Sequence, residues 1–339
     1  MECAMKIQAS EIRTQNRTAL ETVIPLDTPY NVFIDPSNAC NLACKFCPTG
    51  DKPLLKRVGR KAVMMTDKVF YRVLSGLASF PRRVKRVNLY KDGEPLYHPK
   101  FVGMVRALKW VADEVWTKTN GTLLNKGNNE KIAESGLDML GVSIKAVSTQ
   151  GYKDVSGVPI HYENILRNLE HLYNIRGDMK IYASIADTGL SEEERQEFYE
   201  DFAPITDYCS IEGLHGWSMS GVKDFTLGTN PTTFDGIPLV DKAVCPWVFY
   251  QMAVNSDGSV SACNEDWSHG VIIGDVMTET LPDIWNGSKL YDLRRMFLTG
   301  KRGSHPVCGD CYYLRCAPDN IDQHAETILT NLDERRNGA

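Results

Sequence analysis

From about Tyr30 onward, short apolar runs alternate with longer stretches whose apolar residues recur at helical spacing. The runs at 30–35, 84–90, 114–119, 138–146, 179–187 and 207–213 read as strands. Between them, Phe70, Val73, Leu74 and Leu77 share one helical face, and Phe101, Met104, Val105 and Leu108 share another. Tyr162, Ile165, Leu166, Leu169 and Tyr173 make a third. Ser191-Glu192-Glu193-Glu194 is a capping-box pattern that opens a helix ending by Pro204. Gly136 before Leu137 marks another helix stop. Six strands alternating with helices imply a parallel α/β sheet with right-handed crossovers. A partial barrel and an open doubly wound sheet both fit. Either one places its chemistry at the C-terminal ends of the strands.

Residues 1–29 are polar with scattered aliphatics and read as a leader packing on the outside of the barrel. The alternating region runs over 30–230. Pro231 to Asp241 is a Pro- and Gly-containing connection, so a smaller domain is expected over 231–339. The chain of 339 residues is long enough for that division. A net charge of −5 argues against a nucleic-acid-binding surface. No apolar run is long enough to span a membrane, and Met1-Glu2-Cys3-Ala4-Met5-Lys6 begins no signal peptide. A cytoplasmic protein is expected, and its ten cysteines then call for an explanation other than disulfides.

Seven of the ten fall into two ligand-spaced sets. The first is Cys40, Cys44 and Cys47, a C-x3-C-x2-C loop directly after the apolar run Asn31–Asp35. Fe–S clusters are ordinarily held by four cysteines, so three leave one iron open to another ligand. A zinc knuckle is the alternative reading. In the second set, Asp257-Gly258 between apolar alternating runs is a hairpin signal that folds Cys263 back toward Cys245. Cys308-Gly309-Asp310-Cys311 follows downstream, and by spacing alone these four suit zinc.

The first loop resembles the cluster loop of the radical S-adenosylmethionine (SAM) superfamily, in which SAM chelates the fourth iron of a [4Fe–4S] cluster. Gly93-Glu94-Pro95, after the second strand, resembles the GGEP motif that holds the SAM ammonium, with Asp92 where the first glycine usually stands. Thr119-Asn120-Gly121 is similar to the T-N-G element near the methionyl and ribose groups, and Ser143 stands where many members place a serine on SAM. The resemblance therefore implies Phe46, Gly93, Glu94, Pro95, Asn120 and Ser143 as SAM contacts. It also decides for the six-stranded partial (β/α) barrel. If Ser143 faces the interior then so does Lys145, two residues on, where it presents a cation to the substrate chamber. Tyr90, Asp187, Glu212, His215 and Trp217, at or beyond the later strand ends, are the candidate substrate contacts.

Cys245-Pro246, Gly258-x4-Cys263, Gly274-Asp275, Asp283-Ile284-Trp285 and Cys308-x2-Cys311 resemble the SPASM or shorter twitch extensions of radical SAM enzymes. The resemblance implies one auxiliary [4Fe–4S] cluster on Cys245, Cys263, Cys308 and Cys311. It also implies a flavodoxin- or ferredoxin-type electron donor. The single-cluster layout resembles aminoglycoside-pathway radical SAM dehydrogenases and epimerases. Oxidation of a sugar or aminocyclitol in natural-product (antibiotic) biosynthesis is therefore expected, with the auxiliary cluster as electron acceptor. Epimerisation or elimination at that carbon is the variant outcome; a peptide maturase and a zinc-bound scaffold are the alternatives. Cys209 and Cys316, outside both sets, are the candidate hydrogen-donor thiols, and an oxidation needs neither.

Overall fold

The computed structural model describes residues 18–219, 221–228, 233 and 238–338. Residues 1–17 of the polar leader and residues 231, 232 and 234–237 of the expected boundary lie outside the described residues. Nine strands form one sheet: β1 Asn31–Ile34, β2 Val84–Asn88, β3 Ala112–Thr119, β4 Met139–Ile144, β5 Lys180–Asp187, β6 Tyr208–Gly213, β7 Gln251–Val254, β8 Ser259–Ser261 and β9 Ile272–Asp275. Their order is β6-β5-β4-β3-β2-β1-β7-β8-β9. All pairs from β6 through β7 are parallel, and β7-β8 and β8-β9 are antiparallel. The six expected strands are β1–β6, each within two residues of its expected limits.

The helices, in chain order, are α1 Lys52–Arg57, α2 Asp67–Ala78, α3 Phe101–Leu108, α4 Lys126–Ala133, α5 Thr149–Ser156, α6 Tyr162–Ile175, α7 Glu192–Phe202, α8 Leu281–Asn286, α9 Ser288–Leu298 and α10 Ala325–Asn337. Their apolar faces explain their placement. Phe70, Val73 and Leu77 of α2, Met104, Val105 and Leu108 of α3 and Ile165 and Leu169 of α6 are buried in the same core as Val32, Val87, Val115, Leu140 and Ile181 of the strands. The α7 capping box forms as its sequence implies, with Ser191 and Glu194 exchanging backbone–side-chain bonds.

The second half of the chain does not stand apart. Asp257-Gly258 makes the hairpin between β7 and β8, and Gly258 adopts φ +99°, open to glycine and strained for other residues. Through the β1–β7 pairing this hairpin extends the barrel sheet, and one continuous core includes Val254, Val260, Ile284 and Trp285 beside the barrel residues. The described part of the leader packs against this second half. Leu20, Ile24 and Leu26 are buried, and Trp285 Nε1 donates to the Leu26 carbonyl at 2.9 Å.

Strand register divides the residues between two faces. Lys118, Gly141, Tyr182 and Tyr208 lie side by side on the inner face of β3–β6, and Ser143, Ser184 and Ser210 form the next row. The lower end of the barrel is filled by Trp116, Met139, Tyr182 and Tyr208. Arg86 lies over the Trp116 ring at 3.4 Å and pairs with Glu114. The inner face is therefore filled at its lower end, and the motifs lie at the strand C-termini.

Candidate functional site

The three-cysteine loop leaves β1 and is fastened on both sides. Ala43 N–H donates to the Ser156 carbonyl at 2.8 Å and Lys45 N–H to that of Val155 at 3.0 Å, which ties the loop to the end of α5. On its other side lies the segment after β2. Thr49 Oγ1 donates to the Asp92 carbonyl at 2.6 Å, and Glu94 N–H donates to the Ala39 carbonyl at 2.8 Å. A Cβ on Gly93 would stand 2.1 Å from the Ser37 carbonyl oxygen and 2.4 Å from that of Ala39. The missing side chain of Gly93 therefore serves the close approach of two protein segments, not only that of backbone to ligand.

Glu94 is buried, and both carboxylate oxygens are engaged. Oε1 accepts from Thr119 Oγ1 at 2.6 Å and from Leu96 N–H at 3.0 Å, the latter capping the short turn begun by Pro95; Oε2 accepts from Asn120 N–H at 2.8 Å. Asn120 Nδ2 in turn reaches Asn41 Oδ1 at 2.8 Å and Cys40 Sγ at 3.8 Å. The GEP and T-N-G elements thus meet each other and the cysteine loop. Burial pushes the Glu94 carboxyl up from its usual range, opposed by these donors. Burial likewise raises the thiols of Cys40, Cys44 and Cys47, while Lys145 pulls them down. Lys145 is buried, donates to Ser143 Oγ at 2.6 Å, and lies 5.6 Å from the Phe46 ring centroid. Three crowded, desolvated thiols are poor places for bare thiolates and good ones for thiolates bound to a metal centre.

The lumen below is polar. Lys118 Nζ crosses from β3 to Glu212 of β6 at 3.1 Å, and the side-chain-free Gly141 leaves room for its stem. Tyr182 OH donates to the other Glu212 oxygen at 2.6 Å and lies 2.6 Å from Ser210 Oγ. Tyr90 stands at the rim, edge-to-face with Phe33 at 5.7 Å. Trp217 Nε1 donates to the Phe46 carbonyl at 3.0 Å, and its ring neighbours His215, which lies 5.4 Å from Tyr313.

Two expected site residues face elsewhere. Asp187 lies one residue past Ala186, whose row contains Glu212, so its side chain leaves on the opposite face. There it pairs with Arg195 and accepts from Gly189 and Leu190 N–H, lining an open surface hollow with Glu192 and Tyr199. Its reading as a substrate contact is corrected accordingly. Cys209 alternates with the inward Ser210 and is buried in the core on the helix side, which removes it as a hydrogen donor to the lumen. Cys316 is buried in the turn Tyr312–Cys316, and burial pushes its thiol up to about 12.

Cys245, Cys263, Cys308 and Cys311 line one enclosed cavity whose other walls include Trp247, Val248, Val271, Phe297 and Tyr313. Burial pushes the Cys245 thiol up to about 11 and that of Cys311 to about 12, and lifts Cys263 and Cys308 well above the ordinary thiol range. Among the described residues no three His, Cys, Asp or Glu side chains converge as they would on a single metal ion. Four thiols round one cavity are a donor set for a thiolate-bound metal centre. Sequence reasoning missed Lys118, Tyr182 and Ser210, whose polar character on alternate strand positions was the available signal. It also missed Arg60, Asp266 and His269, for which no local signal existed.

The radical SAM superfamily profile matches residues 34–202, and that of the SPASM iron–sulfur cluster-binding domain matches residues 245–312. The chain belongs to the radical SAM superfamily. It is a radical SAM enzyme with a C-terminal SPASM domain, and its cofactors are SAM, a [4Fe–4S] cluster and auxiliary Fe–S. Among its relatives is the tungsten-containing aldehyde ferredoxin oxidoreductase cofactor-modifying protein of Pyrococcus furiosus, 28% identical over 83% of this chain and 86% of that one. The SAM-dependent 2-deoxy-scyllo-inosamine dehydrogenase of Niallia circulans is 21% identical over 83% and 91%. The fold is shared with Streptococcus suis SuiB bound to the precursor peptide SuiA, at 16% identity and a TM-score of 0.61 over 81% of this chain and 68% of that one. No described helix is long and apolar enough to cross a membrane.

Proposed function

We propose that this radical SAM enzyme oxidises an alcohol carbon of a small polyhydroxylated substrate, a sugar or aminocyclitol, bound in the barrel lumen. The observation that carries this reading is the Lys118–Glu212 pair with Tyr182 and Ser210 on the same inner face as Ser143. Such a set offers both donors and acceptors to hydroxyl or amino groups, and a buried polar site rejects analogues that lack them. Cys40, Cys44 and Cys47 hold the cluster that binds SAM. Cys245, Cys263, Cys308 and Cys311 hold one auxiliary cluster. When bound, SAM and its cluster supply the 5′-deoxyadenosyl radical that takes hydrogen from the substrate carbon.

The chain's own residues then do three things. Glu94, Asn120 and Ser143 orient SAM, Glu212 accepts the hydroxyl proton, and the stacked Trp247–Tyr313 pair, 5.0 Å apart, helps close off the auxiliary cavity. A cluster held by Cys245, Cys263, Cys308 and Cys311 would accept the remaining substrate electron. A flavodoxin- or ferredoxin-type protein supplies the starting electron. Residues 30–230 form the barrel domain and 231–339 the auxiliary domain. The likeness to the Niallia circulans dehydrogenase over most of both chains supports this reading.

A second reading, modification of a small cofactor, is favoured by the 28% identity to the Pyrococcus furiosus protein over most of both chains. One experiment separates them. Carbon-deuterated sugars and aminocyclitols are incubated with reconstituted enzyme, SAM and reductant, and label is followed into 5′-deoxyadenosine. Transfer with formation of a ketone supports the proposal. Deuterium entering product from heavy water points to epimerisation, and transfer from no member of the panel sinks the carbohydrate reading.

A further inference from the structure

Position 92 is aspartate where the motif it resembles has glycine, and the structure surrounds that carboxylate with basic side chains. Asp92 Oδ2 lies 2.8 Å from Lys91 Nζ, 2.9 Å from His269 Nε2 and 3.7 Å from Arg60 Nη2. The Asp92 and Lys91 side chains are each 1% exposed and that of Arg60 is 4%. Burial alone would raise the Asp92 carboxyl, but Lys91 and Arg60 hold it well below the usual carboxylate range. Breaking such a group leaves a buried charge unpaired, so its geometry is stiffly held.

The auxiliary half meets this cluster through one loop, which supplies His269 to Asp92 and two carbonyls to Lys91 and Arg60. His269 sits in the loop between β8 and β9 and adopts φ +55°, a left-handed backbone that is unfavourable for a residue with a side chain. Its ring nonetheless reaches Asp92. In the same loop, the Asp266 carbonyl accepts from Lys91 Nζ at 3.1 Å and the Trp267 carbonyl from Arg60 Nη1 at 2.8 Å. The Asp266 carboxylate organises this loop by accepting from Ser261 Oγ and from Gly270 and Val271 N–H, each at 2.9 Å. The loop begins at Cys263, and Cys263 and Asp266 both line the four-thiol cavity. On the other side, Asp92, Gly93 and Glu94 are the residues that touch Thr49, Ser37, Ala39, Thr119 and Asn120 around the first cysteine loop.

We propose that the Asp92–His269–Lys91–Arg60 cluster is a positioning device that couples SAM binding at the first site to occupation of the auxiliary cavity. It rests on the assignment of the two cysteine sets given above. An auxiliary cluster ligated by Cys263 fixes the loop that carries Asp266, Trp267 and His269. That loop fixes Lys91 and Asp92, and these set the GEP backbone and the cysteine loop packed on it. With the cavity empty, the loop loses its anchor at Cys263 and the SAM site loses its outer support.

The test is a thermodynamic cycle on anaerobically reconstituted full-length protein. SAM dissociation constants are measured for the wild type, for Cys308→Ser with Cys311→Ser, for Asp92→Gly, and for the combination. Iron is counted in each. Iron should fall from about eight to about four per chain in the cysteine variant. SAM affinity should fall with it by about tenfold in the wild-type background and by less than about twofold in the Asp92→Gly background. An equal penalty in both backgrounds overturns the coupling, as does unchanged SAM affinity after the iron is lost. Iron that stays at about eight overturns the ligand assignment beneath it. Should Asp92→Gly fail to fold, His269→Asn serves instead, since asparagine tolerates the left-handed backbone and cannot reach Asp92 as the imidazole does.

Discussion

The two thiol sites differ in how they are built. Cys40, Cys44 and Cys47 come from eight consecutive residues and stand at the open end of the barrel beside Lys145, Ser143 and Asn120. The other four come from three separated segments, with Cys245 ahead of β7, Cys263 just after β8 and Cys308 with Cys311 in a later turn, and face a largely apolar cavity. Burial raises the thiols at both, and in the cavity it pushes Cys245 up to about 11 and Cys311 to about 12. A site with three ligands and polar neighbours is fitted to exchange a small molecule at the remaining metal. A site with four ligands and apolar walls is fitted to hold a cofactor and exclude ligands.

The sharpest way to break this comparison is to remove one set of thiols at a time. Changing Cys40, Cys44 and Cys47 to Ala should abolish SAM cleavage and remove about four irons, leaving about four in place. Metal analysis that finds zinc in the remaining site would confine iron to the first one. A smaller effect is expected from Gly93→Ala, whose Cβ would stand 2.1 Å from the Ser37 carbonyl oxygen. Overpacking of this kind costs about 1–3 kcal/mol, so first-site iron and SAM cleavage should fall together. Gly103→Ala, where the new Cβ meets nothing within 4 Å, serves as the control. Full iron retention in Gly93→Ala would contradict the packing role.

How much of this was legible in the sequence depended on how local each signal was. Cysteine spacing, the Asp257-Gly258 turn and the apolar faces of α2, α3 and α6 are short-range patterns, and the structure keeps all of them. Asp187 and Glu212 show where that reading stops. Both end strands, and a one-residue difference in register sends one side chain into the lumen and the other to Arg195. Cys209 fell to the same parity. The Lys118–Glu212 contact joins residues 94 apart, and His269–Asp92 joins residues 177 apart, so neither pair has any local pattern.

A further predicted effect concerns Asp35, just after β1 and ahead of the first loop. Burial pushes its carboxyl up to about 6, and its Oδ1 has no hydrogen-bond partner among the described residues. The folded protein then binds this proton more tightly than the unfolded chain. Stability should therefore fall as pH rises from about 4 to about 6, by at most about 1.4 kcal/mol per pH unit from this group. Asp35→Asn should flatten that part of the profile in denaturant titrations. An unchanged slope would show that Asp35 is not the titrating group.

The open-versus-closed contrast is tested most directly by electron paramagnetic resonance of the reduced, reconstituted protein with and without SAM. The account predicts two cluster signals, of which SAM alters one. The altered signal should be missing from the variant with Cys40, Cys44 and Cys47 changed to Ala, and the unaltered one should persist there. A SAM-induced change in the signal that survives in that variant would contradict the account, because the closed cavity would then be the site that takes the ligand.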